Sequence, residues 1–159
     1  MVSRVTFLAV ADEDAWSCWL CGDDVDQAAR AGPWSGTVDH VIPRNRGGAT
    51  EVANLRLAHR RCNTQRGSRD PVLAWPDEWA VRETGDLFPM ALDLASTAGS
   101  AVVGFVDEAV ARPAARWLVL RVTQMMRGCW EVRIDRSRQP AGVVLRCVQP
   151  PDRVPRTRR

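Results

Sequence analysis

Thr37-Val-Asp-His-Val-Ile-Pro-Arg-Asn-Arg-Gly-Gly48 and Asn54-Leu-Arg-Leu-Ala-His-Arg-Arg-Cys-Asn-Thr-Gln-Arg-Gly67 are the two stretches on which the fold turns. Val38, His40 and Ile42 alternate with Asp39 and Val41, the period-two pattern of a short strand, and Pro43 ends it. Arg44 to Thr50 with Gly47-Gly48 reads as a loop, and Glu51 to Ala53 as a single helical turn. Leu55 to Ala58 is a second short strand, and the pattern from His59 is helical, with Gly67 placed to stop it. The order is strand, loop, strand, helix.

Working outward, His59-Arg-Arg-Cys62 opens that helix, and Cys18-Trp-Leu-Cys21 lies upstream with the same two-residue gap. Together they give C-x2-C-x37-H-x2-C, a Cys3His set suited to tetrahedral Zn²⁺. A thioredoxin-like redox reading needs a βαβ context, which the acidic flank does not offer. Five cysteines, an odd count, also speak against a disulfide framework. Cys129 and Cys147 sit in apolar stretches without neighbouring ligands and read as buried thiols.

Charge is segregated around this motif. Residues 12–26 carry six acidic residues and no basic one. Residues 44–69 carry seven arginines against Glu51 alone, a local charge of +6 that the overall +3 conceals. A concentrated basic segment beside a metal site suits a polyanion, and nucleic acid is the expected partner. All 22 basic residues are Arg, which excludes catalysis through lysine, and chemistry needing an imidazole must use His40 or His59. The 159 residues allow one domain, or a small domain with an appendage. No apolar run reaches the roughly 20 residues of a membrane span, and the N-terminus turns acidic too early for a secretory signal, so a cytoplasmic location without membrane contact is expected.

The motif resembles the HNH endonuclease family, the ββα-metal nucleases. The likeness is carried by Cys18 and Cys21, Asp39-His40, Pro43, Gly47-Gly48, Asn54-Leu55, and Cys62-Asn63 with Arg66, and spans residues 15–68. It implies an α+β fold: a ββα-metal core with structural zinc knuckles, here followed by a C-terminal helical and β-hairpin extension. It also implies a cleft that holds one divalent ion against a scissile phosphodiester. Hydrolysis there needs a general base, a Lewis acid and in-line positioning. His40 takes the role of base, since a free imidazole titrates at about 6.5 and is largely neutral at pH 7. Asp39 falls on the family's metal-ligand position; in an ideal strand it points away from His40, so sharing a site requires a twist or bulge. Asn54 matches the middle residue and bridges the loop without direct part in bond breaking. Asn63 matches the third position, and with Asp39 forms a hard donor pair for Mg²⁺ or Mn²⁺. Arg66 matches a basic position and clamps the phosphate, with Arg44, Arg46, Arg60 and Arg61 as further nucleic-acid contacts. Family members commonly have Cys where His59 stands. His59 is read as the fourth zinc ligand beside Cys18, Cys21 and Cys62; the rival assignment makes it a ligand of the catalytic metal.

Three segments result: a nuclease domain over 1–70 opening with an N-terminal strand, an accessory region over 71–152 of no recognised family, and a basic tail, 153–159, read as disordered. Asp70-Pro71 marks the boundary, and the stretch from Leu73 to Trp79 is expected to pack back onto the nuclease core. Ser100 to Met126 reads as helices broken near Pro113, and Trp130 to Ile134 with Gly142 to Val148 as a hairpin. Trp75, Trp79, Trp117 and Trp130 are expected as core anchors. The function expected is metal-dependent hydrolysis of DNA, double-stranded in first place, with a protein partner conceivable through residues 71–159. Phage-associated or bacterial genome defence is an analogy to the family alone. The rivals are a zinc-stabilised nucleic-acid-binding module without cleavage, and a partner-recruiting zinc adaptor that leaves the +6 segment unexplained.

Overall fold

The computed structural model describes residues 2–151, so the expected basic tail lies outside the described residues. The chain divides into two compact units between Pro71 and Val72. No helix among the described residues is long and apolar enough to cross a membrane.

The first unit opens with helix α1, Arg4–Glu13, where a strand was expected. The β-branched Val5 and Thr6 favour a strand locally, but two features override them. Ser3 caps the helix, its Oγ accepting the Thr6 N–H at 3.1 Å. Phe7, Val10 and Ala11 then share one face, with Val10 and Ala11 fully buried. Strands β1, Gly36–His40, and β2, Leu55–His59, form an antiparallel pair in register from Gly36 opposite His59 to His40 opposite Leu55. Every residue of β2 is buried. Helix α2, Arg60–Arg66, follows without a break and ends at Gly67. The turn before β2 is a 3-10 turn over Val52–Asn54.

The connection from β1 to β2 is held by a glycine that nothing else can replace. A Cβ on Gly48 would lie 1.8 Å from the Ile42 carbonyl oxygen and 2.8 Å from the Asn54 amide nitrogen. Gly47 beside it takes the left-handed conformation that closes the turn.

In the second unit, the order is β3 Arg82–Glu83, α3 Leu87–Thr97, β4 Ser100–Val106, α4 Glu108–Met125, β5 Cys129–Asp135 and β6 Ala141–Gln149. The sheet is antiparallel, ordered β3-β4-β6-β5. The β5–β6 pair is the expected hairpin. Ala111, Ala114, Leu118, Val122 and Met125 make the buried face of α4, against inward residues such as Val143 and Leu145 of β6. Trp75 lies 5.2 Å from the Trp117 ring of α4 and Trp79 5.9 Å from it. The stretch from Leu73 to Trp79, expected to pack back on the preceding segment, therefore belongs to the second unit. Its aromatic area finds a complementary aromatic partner there.

Two expectations for this unit are corrected. Ser100–Val106 is a strand, because its run of Ala, Val, Val and Phe pairs with β6 across a bulge at Val103. The helix that follows passes through Pro113 unbroken. Pro113 and Ala109, whose carbonyl would have taken the missing hydrogen bond, are both exposed, so that oxygen is open to solvent rather than buried unpaired. Cys129 is exposed rather than buried, since it starts an edge strand on the outer side, whereas Cys147 is buried as expected.

Two predictions follow from this packing. Gly48→Ala should destabilise the protein by about 2–4 kcal/mol through a steric clash, read as the denaturation midpoint, whereas Gly67→Ala, with open space around its Cβ but φ 60° and ψ −129°, should cost about 1–3 kcal/mol through backbone strain alone. Pro113→Ala should raise stability by about 1–2 kcal/mol by restoring a helix hydrogen bond; no gain in chemical denaturation would contradict the account of α4.

Candidate functional site

Two short segments build the Cys/His cluster. The first is a tight knuckle in which Cys18 N–H donates to the Asp23 carbonyl at 2.9 Å and Gly22 N–H to the Cys18 carbonyl at 2.7 Å. Gly22 has φ 88°, which lets the turn close. The second is the junction of β2 and α2, where His59 is the extended residue before the helix and Cys62 lies in its first turn. The ligand atoms of Cys18, Cys21, His59 and Cys62 all lie within 4.8 Å of one another. His59 turns Nδ1 toward Cys21 Sγ at 3.5 Å and Cys62 Sγ at 3.9 Å. A tetrahedral zinc with bonds of about 2.0–2.3 Å separates its donors by about 3.5–3.8 Å, so this set fits one. The outer contacts fit as well. His59 Nε2 meets the Asp24 carbonyl at 3.2 Å, which fixes the ring with Nδ1 inward, and His59 N–H donates to Cys18 Sγ. Burial, and then the neighbouring Cys18 and Cys62, push the Cys21 thiol up to about 12 despite an opposing hydrogen bond at Asp23. Thiols held this close resist ionising together, and a divalent cation among them reverses that balance.

Next to the cluster lies a layer of buried charge. Trp19 is fully buried, and its Nε1 donates to Asp39 Oδ2 at 3.2 Å. Arg66 Nη1 donates to the same oxygen at 2.8 Å and to the His40 carbonyl at 2.6 Å, while Nη2 donates to the Val41 carbonyl at 2.7 Å. Arg56, opposite Asp39 in the ladder, pairs with Asp14 at 2.8 Å. The guanidiniums of Arg56 and Arg66 lie over the Trp19 ring at 5.6 and 5.2 Å. Burial raises the Asp39 carboxyl above its ordinary value, while Arg66, Trp19 and the His40 backbone pull it down.

Arg66 is therefore not available to clamp a phosphate: it is 7% exposed and its donors are turned inward. The β1–β2 ladder contains no bulge, so Asp39 and His40 leave opposite faces of the strand. Arg66 Nη1 is the atom that links them, through the carboxylate of one and the carbonyl of the other.

His40 is half-buried at the end of β1, its Nε2 3.1 Å from Thr50 Oγ1. A hydroxyl both donates and accepts, so this contact serves either protonation state of the ring. Thr50 was not singled out from the sequence; an unremarkable loop threonine carries no signal of its own. Asn54 is buried and staples the loop between them. Its Oδ1 accepts the Ile42 N–H at 2.8 Å, and its Nδ2 donates to the carbonyls of Ile42 and Ala49 at 3.0 and 2.8 Å. Asn63, on α2, donates Nδ2 to the Val38 carbonyl at 3.4 Å. For a catalytic cation the oxygen donors of Asp39 and Asn63 are chemically suited, but the Asp39 charge is already balanced by Arg66.

The remaining arginines separate into two groups. Arg46 pairs with Asp70, and Arg69 donates to the Gln65 and Arg66 carbonyls. Arg44, Arg60 and Arg61 are exposed and have no carboxylate partner among the described residues. Arg61 instead lies over the ring of Trp34, 5.1 Å from its centroid, and that ring meets His59 edge-on at 5.3 Å.

No curated protein and no solved structure matches this chain. The family model described as HNH endonuclease matches residues 18–69. The match begins at the first cysteine of the cluster and runs through both strands, the stapled loop and α2. The Cys/His cluster, the strand pair and the stapled loop all lie within that stretch, so it is residues 18–69 of this chain that match the HNH endonuclease family.

Proposed function

We propose that the protein is a metal-dependent endonuclease that hydrolyses DNA phosphodiester bonds, with His40 as general base. One observation carries the reading: of the two imidazoles in the chain, His59 faces the cysteines, while His40 stands half-exposed on the edge of the matched domain, steadied by Thr50. His40 takes a proton from the attacking water, and the Thr50 hydroxyl orients the ring for that transfer. Asn54 keeps the loop at the distance this needs, through bonds to backbone alone. Asn63 and Asp39 would hold Mg²⁺ or Mn²⁺ through their oxygen donors. When bound, that ion supplies charge stabilisation at the phosphoryl and leaving oxygens. Arg44, Arg60 and Arg61 provide the phosphate contacts, and Arg66 acts as a positioning residue behind Asp39 and His40. Cys18, Cys21, His59 and Cys62 hold a closed structural zinc with no part in the reaction.

A second reading is favoured by the Asp39–Arg66 pair. A carboxylate neutralised by a buried guanidinium is a weak cation ligand, which suits a zinc-stabilised nucleic-acid-binding module without cleavage.

Purified protein should contain one zinc per chain by elemental analysis, and Cys18→Ser should lose both the metal and the folded first unit. With Mg²⁺ or Mn²⁺, His40→Ala should nick supercoiled plasmid about 100-fold or more slowly than wild type, with its denaturation midpoint unchanged. Arg66→Met should instead lower stability by about 3–5 kcal/mol, as expected for breaking a buried pair. Wild-type protein that retards DNA yet fails to nick it at any concentration of either metal would establish the binding-module reading.

A further inference from the structure

Trp34 is the residue of the first unit that neither the fold nor the proposed reaction explains. It is 51% exposed, whereas Trp19 of the same unit is fully buried. Exposure here is not looseness. Arg61 N–H donates to the Pro33 carbonyl at 2.8 Å and Arg60 N–H to the Ser35 carbonyl at 2.9 Å, so the backbone on both sides of Trp34 is tied to the start of α2. Ser35 Oγ donates to the Gly32 carbonyl and accepts from Arg60 Nε at 3.4 Å. The ring itself is held by the Arg61 guanidinium and by the edge contact with His59.

The charge around it is unmatched. Elsewhere in this domain Arg46, Arg56 and Arg66 each have a carboxylate, yet Arg61, over this indole, and Arg60, bound to the neighbouring Ser35 hydroxyl, have none among the described residues. A fixed, half-exposed aromatic surface with the Arg61 guanidinium over it and Arg60 next along the helix, neither paired with a carboxylate, matches one chemistry well: a base that stacks, joined to phosphates that accept from arginine. An acidic peptide would use the charges but not the ring, and an apolar partner would leave both guanidiniums desolvated without partners.

We propose that Trp34, with Arg60 and Arg61, forms a stacking site for an unpaired nucleobase, so that the preferred substrate carries a bulged, frayed or single-stranded nucleotide. This rests on the nuclease reading and narrows its substrate class. Stacking to an exposed base contributes about 5- to 100-fold in affinity per base.

The test uses full-length, zinc-loaded protein carrying His40→Ala, so that the DNA stays intact, with and without Trp34→Ala or Trp34→Phe. The probes are a fully paired duplex and the same duplex with one unpaired 2-aminopurine. Trp34→Ala should weaken binding to the bulged duplex about 5- to 100-fold and abolish the quenching of 2-aminopurine, with little change for the paired duplex. Trp34→Phe should keep part of both signals, and zinc content should be unaltered in each variant. Equal affinities with and without Trp34, or equal weakening on both duplexes, would overturn the stacking site while leaving the nuclease reading in place. Loss of zinc together with loss of binding would make Trp34 a shield for His59 instead. Failure of every form to bind either DNA would remove both readings.

Discussion

The buried pair of Asp39 and Arg66, seated on Trp19, is the constraint on which the first unit depends. Helix α2 has only seven residues, too few to persist alone in water. It is fixed at its start by His59 and Cys62 of the Cys/His cluster and at its end by Arg66, whose guanidinium reaches Asp39 and the carbonyls of His40 and Val41. Trp19 belongs to the knuckle and closes the triangle, donating to Asp39 from its ring and to the Leu57 carbonyl from its backbone. A buried pair of this kind returns little net stability over apolar packing, yet losing one member leaves an unmatched charge in the interior. Its value here is geometric. One side chain sets the angle of α2 against the end of the strand that presents His40.

That arrangement changes the meaning of the basic segment. Its +6 charge does not reach the surface intact, because Arg56 and Arg66 answer Asp14 and Asp39 inside the domain and Arg46 answers Asp70 on the outside. Part of the acidic N-terminal stretch thus exists to neutralise part of the basic one. The exposed arginines of the segment without a carboxylate or carbonyl-bound guanidinium among the described residues are fewer: Arg44 in the loop, Arg61 over Trp34, and Arg60 at Ser35. The basic surface is therefore drawn toward the zinc-type cluster rather than spread along α2.

The core of the domain was legible because its residues announce themselves by type and spacing. Paired x2 gaps, a proline ending β1, two glycines in the loop and a glycine after α2 each have a local physical cause, and the observed elements fall within two residues of the expected ones. The roles of the arginines were not legible, since a guanidinium reads alike whether it faces water or a buried carboxylate 27 residues away, as Arg66 does. The N-terminal helix was hidden by β-branched residues whose preference a cap and one buried face outweigh. Strand β4 was hidden because its apolar run joins that of α4 without a marker other than Asp107, and only pairing with β6 separates them. Thr50 and Trp34 acquire their neighbours from the folded chain alone.

The claim at the centre of this account is that the imidazole of His40, held on the edge of a structurally locked domain, takes the proton from water. Chemical rescue tests it most directly: cleavage of an end-labelled DNA by His40→Ala, followed with Mg²⁺ or Mn²⁺ at increasing concentrations of free imidazole. Imidazole should restore cleavage in proportion to its neutral form. Wild-type cleavage that His40→Ala leaves undiminished, with imidazole making no difference, would contradict the account.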